Sequence, residues 1–139
     1  MSVTMTKYRV EVVVEDSMDF RPGDLAEDVV RAIVDEIVDR ANKSWQDEGE
    51  RADCRVRYSG AEATIFVTVT TKVEFGNVPS TEELEEMRRK AEAYAYALLR
   101  EIGETLQLAK RMTFISTALT KKVLNSLGKV VRGAKAEAD

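Results

Sequence analysis

Residues 54–75 read CRVRYSGAEATIFVTVTTKVEF, and this stretch decides the fold. Apolar residues alternate with arginines up to the turn Ser59–Gly60, and a second alternating run continues to Phe75. Alternation with a period of two residues is typical of strands with one buried face, and two such runs around a short turn predict a β-hairpin. The second strand is expected to point these residues inward: Ala63, Ile65, Val67, Val69, Thr71, Val73 and Phe75.

A strand and a helix are predicted before the hairpin. Residues Tyr8–Glu15 alternate like a strand, and the polar residues 16–23 are typical of a loop. A helix is expected to begin at Asp24, because Glu27 three residues later completes a capping box. This helix carries a broad apolar stripe suited to lying on a sheet, formed by Leu25, Val29, Ile33, Ile37 and Ala41 and widened by Val30, Val34 and Val38.

The order β-α-β-β-α predicts a three-stranded antiparallel sheet. A right-handed crossover between the first two strands gives the sheet order 2-3-1, with the long third strand in the centre and both helices on one face. This is half of a ferredoxin-like layout and defines an α+β head over residues 1–109. The predicted core includes Val12, Ile33, Ile37, Val67 and Leu98.

The chain after Pro79 predicts helix over most of its length. Ser80 and Glu83 form a second capping box. A heptad-like repeat follows at Leu84, Met87, Ala91, Tyr94, Leu98, Glu101, Thr105, Leu108, Met112, Ile115 and Leu119. One helix to Leu127 would measure about 70 Å, longer than a domain of this size. Three alternatives stay open: two packed helices with a break between residues 109 and 117, which we favour, one long helix, or a fourth strand at residues 112–116 beside the first strand.

Composition argues against catalysis. The 139 residues include no histidine and one cysteine, Cys54, which excludes imidazole bases, histidine-ligated zinc and an intrachain disulfide. No glycine-rich phosphate loop is present, and the carboxylate pairs of the predicted helices lie beside cations on solvent faces. Cys54 is expected to be a buried, inert thiol. The sequence therefore predicts no catalytic residue, no cofactor and no metal ion.

Charge is segregated along the chain. Residues 1–109 contain 14 Lys and Arg against 23 Asp and Glu, a net charge of −9, whereas residues 110–136 contain seven cations and no acid. We call residues 110–139 the basic extension and predict that it is helical and amphipathic. Such a segment can bind an acidic protein surface, nucleic-acid phosphates or anionic lipid heads. Its candidate contacts are Lys110, Arg111, Lys121, Lys122, Lys129, Arg132 and Lys135.

Two further features favour association between copies of the chain. The third strand is much longer than the predicted second strand, which leaves an overhang without a pairing partner. Apolar residues also stand on the predicted outer face of the sheet, where a monomer normally has polar groups. The candidate oligomer interface consists of Val13, Phe66, Leu108, Met112, Ile115 and Leu119.

These observations favour a structural role rather than catalysis. We expect a homo-oligomerising subunit of a larger complex, such as a virion or scaffold component, located in the cytoplasm (intracellular) or in a virion. Its partners would be other copies of itself and other protein subunits, with no membrane span. The alternative is a nucleic-acid-associated protein that binds phosphates through the basic extension.

Overall fold

The computed structural model describes residues 7–138, with side chains described from residue 7 to residue 113 and at Lys122. The elements are β1 (Tyr8–Phe20), α1 (Glu27–Trp45), β2 (Glu50–Ser59), β3 (Glu62–Phe75) and α2 (Thr81–Ala138). A short 3-10 turn at Gln46–Glu48 follows α1. The predicted β-α-β-β-α order and the α+β class are confirmed.

The sheet is antiparallel with the order β1-β3-β2, as predicted. Residues Ala63–Phe75 of β3 pair with β1, and Glu62–Thr71 pair with β2. Both neighbours are longer than predicted, so the expected overhang of β3 is reduced to residues 72–75, which pair with β1 but lie beyond the register with β2. Residues 16–20, expected to form a loop, continue β1 and bring Phe20 into the core opposite Ala63.

The core lies between one face of this sheet and the two helices. The inward residues of β3 from Ala63 to Thr71 are buried. Helix α1 packs through Val30, Val34, Ile37 and Val38, and α2 through Met87, Ala91, Ala95, Leu98, Leu99, Ile102 and Leu106. Val12 and Ile33 are only partly buried, which corrects the predicted core.

Helix α1 begins later than predicted, and it lacks the expected capping box. Ala26 occupies the N-cap without a side-chain hydrogen bond, and Asp24 lies before the helix. The turn that precedes α1 is closed instead by the backbone, since the N–H of Leu25 donates to the carbonyl of Pro22 at 3.0 Å.

Helix α2 is continuous over 58 residues, which at 1.5 Å per residue is about 87 Å. The predicted capping box at its start is confirmed, because Glu83 N–H donates to Ser80 Oγ at 3.1 Å and Ser80 N–H donates to Glu83 Oε1 at 3.3 Å. The favoured break between residues 109 and 117 and the fourth strand at 112–116 are both wrong. Gly103 does not interrupt the helix; it gives room to Met18 of β1, whose Cε would lie 3.1 Å from a Cβ at that position.

Side chains of α1 bond to the outer edge of β2 at two residues. Asn42 forms two hydrogen bonds with Ala52, accepting from its N–H at 2.7 Å and donating to its carbonyl at 2.8 Å. Arg31 Nη1 donates to the carbonyl of Val56 at 3.1 Å. An unpaired strand edge is a template for pairing with strands of other chains. The side chains of Asn42 and Arg31 therefore protect the edge of β2 from such pairing at these two residues.

A buried carboxylate ties β2 to α2. The Glu50 side chain is 1% exposed, and Lys90 Nζ lies 2.9 Å from its Oε1. The separation is short, but neither carboxylate oxygen has a well-aligned hydrogen bond, so the contact is an ion pair. The rings of Trp45 and Tyr94 lie nearby with centroids 4.7 Å apart. These contacts fix the first half of α2 on the head.

Candidate functional site

The single cysteine lies in surroundings that suppress its reactivity. Cys54 is half-buried, and its Sγ donates to Asp35 Oδ1 at 3.4 Å. Burial, this hydrogen bond and the charges of Asp35 and Asp53 raise the pKa of the thiol from 9.0 to about 11. With this pKa the thiol is protonated near neutral pH. Because the thiolate is the reactive form, Cys54 is expected to react slowly there. Within the described part of the chain, no group of three or more Cys, Asp and Glu side chains is placed to hold a metal ion.

The outer face of the sheet carries two of the candidate interface residues. Val13 is 56% exposed in the middle of β1. Phe66 is partly buried, and the guanidinium carbon of Arg55 lies 4.5 Å from the centroid of its ring. Arg55 also approaches Glu15 at 3.8 Å. A cation over an aromatic ring is a favourable contact within the chain. Phe66 therefore supports association less strongly than its outward position predicts.

Two other candidate residues, Leu108 and Met112, form an exposed apolar stripe on α2. They are 57% and 61% exposed, and as an i, i+4 pair they lie side by side on the helix. We call them the α2 stripe. Ile115 and Leu119, which continue the same repeat in the sequence, lie outside the described side chains.

The α2 stripe is exposed because the heptad repeat and the core of α2 follow different rows. The core row contains Ala91, Ala95, Leu98, Ile102 and Leu106, mostly in steps of four residues. The heptad row shares Ala91 and Leu98 with it and then moves to the side, to Glu101 and Leu108. Since a straight helix has 3.6 residues per turn, a row with a 3.5-residue period does not stay on one face.

Beside this stripe, α1 and α2 line an open groove of about 520 Å³, which we call the α1–α2 groove. Its floor is formed by the apolar residues Val29, Ile33 and Ile37 of α1, and Thr105 of α2 lies beside them. Its other lining residues are Asp28, Ala32, Glu36, Arg40 and Glu101, three carboxylates against one guanidinium. Glu36 pairs with Arg40 at 2.9 Å, whereas Asp28 and Glu101 have no cation partner among the described side chains.

The predicted anion contacts are only partly within the described side chains. Lys110 is used inside the chain: its Nζ donates to the carbonyl of Arg21 at 2.7 Å and lies 5.8 Å from the Phe20 ring. Arg111 and Lys122 are exposed. The other predicted contacts lie outside the described side chains: Lys121, Lys129, Arg132 and Lys135.

Comparison of the chain with protein-family models, curated proteins and solved structures gives no match. The elements of residues 7–138 include no helix with the length and apolar character needed to cross a membrane. The groove, the stripe and the charge distribution are therefore the observations from which a function can be argued.

The α1–α2 groove was missed in the sequence, although its signal was present. The apolar stripe of α1 is wide because it combines two rows. Val30, Val34 and Val38 form the row that is buried against the sheet, while Val29 and Ile33 turn toward the groove. An apolar stripe that is broader than a single packing contact requires indicates a second contact surface.

Proposed function

We propose that this protein is a non-enzymatic assembly subunit that forms homo-oligomers through the solvent-facing side of its two helices. The observation that carries the proposal is the α2 stripe. Leu108 and Met112 are exposed on a helix that continues for 26 residues beyond Met112, to Ala138. Helices with exposed apolar residues at heptad spacing are typical of helix–helix association.

The continuity of α2 also bears on where the basic extension binds. A break near residue 113 would let the extension fold back onto its own acidic head. Because α2 is a single helix, residues beyond 113 run on along its axis, about 40 Å past Lys110. The acidic surface that best complements the extension then belongs to another copy or another subunit.

Binding of nucleic acid through the basic extension is the alternative function. Its case is weakened by Lys110, one of the seven cations, which is bonded to the head. The net charge of −9 on residues 1–109 also repels a polyanion that approaches the head. A place in a larger complex, a virion or a scaffold within the cell, belongs to the same proposal.

Sedimentation equilibrium from micromolar to millimolar concentration tests the proposal. We expect an oligomer, and Leu108→Gln with Met112→Gln should weaken self-association about tenfold or more, because the variant loses two apolar contacts. Tyr96→Gln is the matched control, since Tyr96 is 65% exposed on the same helix and lies on another face. A 15.6 kDa monomer at all concentrations would refute the proposal. Salt-sensitive binding of DNA or RNA by that monomer would favour the alternative.

A further inference from the structure

We infer that the α1–α2 groove of one copy receives the basic extension of a second copy, so that two chains exchange their C-terminal helical segments across a twofold axis. This inference rests on the proposed homo-oligomer and adds to it a receptor, a ligand and an orientation. Three observations lead to it: the chemistry of the groove, the charge of the extension, and the relative positions of both on α2.

The groove has the properties of a receptor for a basic amphipathic helix. Val29, Ile33 and Ile37 form an apolar floor that follows α1 for about two turns, long enough for a helix to pack on it. The rim carries Asp28 and Glu101, both without a cation partner among the described side chains. A helix with an apolar row flanked by cations matches such a floor and rim.

The extension has the complementary pattern in its sequence. Residues 110–136 contain seven cations and no acid. Ile115, Leu119 and Val123 recur at four-residue steps, the spacing of one helix face, and at about 100° per residue Lys122 and Lys129 flank that face on one side. The extension cannot occupy the groove of its own chain, because α2 is unbroken and the groove is formed by its own residues 101 and 105.

An antiparallel pair of α2 helices brings the two surfaces together. If the twofold axis passes near Met112, residue 119 of one copy lies level with residue 105 of the other, and residue 123 lies level with residue 101. The α2 stripes then meet at the axis, and the extension of each copy passes along the groove of the other. Such an interface is isologous, so it closes at the dimer.

Charge reversal in two halves tests this arrangement. The groove variant is Glu36→Lys with Glu101→Lys, and the extension variant is Lys122→Glu with Lys129→Glu, two cations that flank the apolar row. Each variant alone should associate about tenfold or more weakly than the parent, because like charges then face each other. An equimolar mixture should recover the dimer as a heterodimer, since each reversed groove meets a reversed extension.

A matched control reverses the same number of charges away from the groove. Glu82→Lys with Glu86→Lys lies on the same helix, about 22 Å or more along its axis from Glu101. This variant should dimerise like the parent, and circular dichroism and chemical denaturation should show all variants folded.

The outcomes separate the two proposals. A dimer that is lost in Leu108→Gln with Met112→Gln but unchanged in the groove variant would overturn the groove assignment and leave homo-oligomerisation standing. A mixture that stays monomeric after both single variants have lost the dimer would also overturn it. A parent that is monomeric throughout would overturn both proposals.

Discussion

The ion pair between Lys90 and Glu50 allows a quantitative prediction about how α2 is held on the head. Lys90→Met leaves the Glu50 carboxylate, with 1% of its side chain exposed, without its counter-charge. Breaking a fully buried pair costs about 3–5 kcal/mol. The Lys90 side chain is 49% exposed, so water screens part of this charge, and we expect a loss of about 2–3 kcal/mol in the free energy of unfolding.

The assay is urea denaturation of the parent and of three variants at neutral pH. Arg88→Met is the matched control, because it breaks the solvent-exposed i, i+4 pair with Glu92 on the same helix and should cost less than about 0.5 kcal/mol. Adding Glu50→Gln to Lys90→Met should recover part of the loss, since no buried charge is left unpaired. Equal midpoints for Lys90→Met and Arg88→Met would refute the reasoning.

The same pair predicts a loss of stability at high pH. The contact with Glu50 is the main cause that raises the pKa of Lys90 above its ordinary value of 10.5. A group whose pKa is raised by folding stabilises the folded state fully at pH values below its unfolded-state pKa. This stabilisation is lost as the pH rises through the folded-state pKa. The difference in unfolding free energy between parent and Lys90→Met should therefore decrease above about pH 10.5, measured by urea denaturation at each pH.

Three further predictions concern single side chains. Asn42→Ala should lower the free energy of unfolding by about 1–3 kcal/mol by chemical denaturation, because the N–H and carbonyl of Ala52 lose their partner; an unchanged midpoint would show that water replaces the amide. Cys54 should react with iodoacetamide about 100-fold more slowly than a thiol of pKa 9.0 at pH 8, and Asp35→Asn should speed the reaction; equal rates for the folded protein and a free thiol would contradict this. Ile102→Ala should cost about 2–5 kcal/mol by denaturation, as a fully buried residue, and a loss below 1 kcal/mol would place it outside the core.

Features that depend on local chemistry were predictable from the sequence. The hairpin around Ser59–Gly60 and the capping box of Ser80 and Glu83 are both present, because each is specified by residues close together in the chain. The central position of β3 followed from the handedness of the crossover, which is a general property of such connections.

Features that depend on distant partners were not predictable. Residues 16–20 extend β1 because β3 offers a pairing partner along this whole length, and the sequence of β1 alone does not contain that information. The same holds for Glu50, whose burial relies on Lys90 from another element. Gly103 lies inside the continuous helix α2 and faces Met18, where the small residue serves close packing instead of ending the helix.

The candidate interface also combines features that were predictable from the sequence with features that were not. The exposure of Leu108 and Met112 follows from the mismatch between a heptad row and a straight helix, which is contained in the sequence. The groove required knowing that α2 passes beside Val29 and Ile33, and the cation over Phe66 required the register of β2 against β3.

The bonds from α1 to the outer edge of β2 limit how the sheet can grow. Open-ended polymerisation by strand addition needs two free edges, one on each side of every subunit. Asn42 and Arg31 occupy backbone groups of Ala52 and Val56 on one side, so an incoming strand has to displace them. Pairing at the remaining edge, through β1 of two chains, ends after a single step. A concentrated solution of this protein should therefore resist fibre formation even where its helices associate.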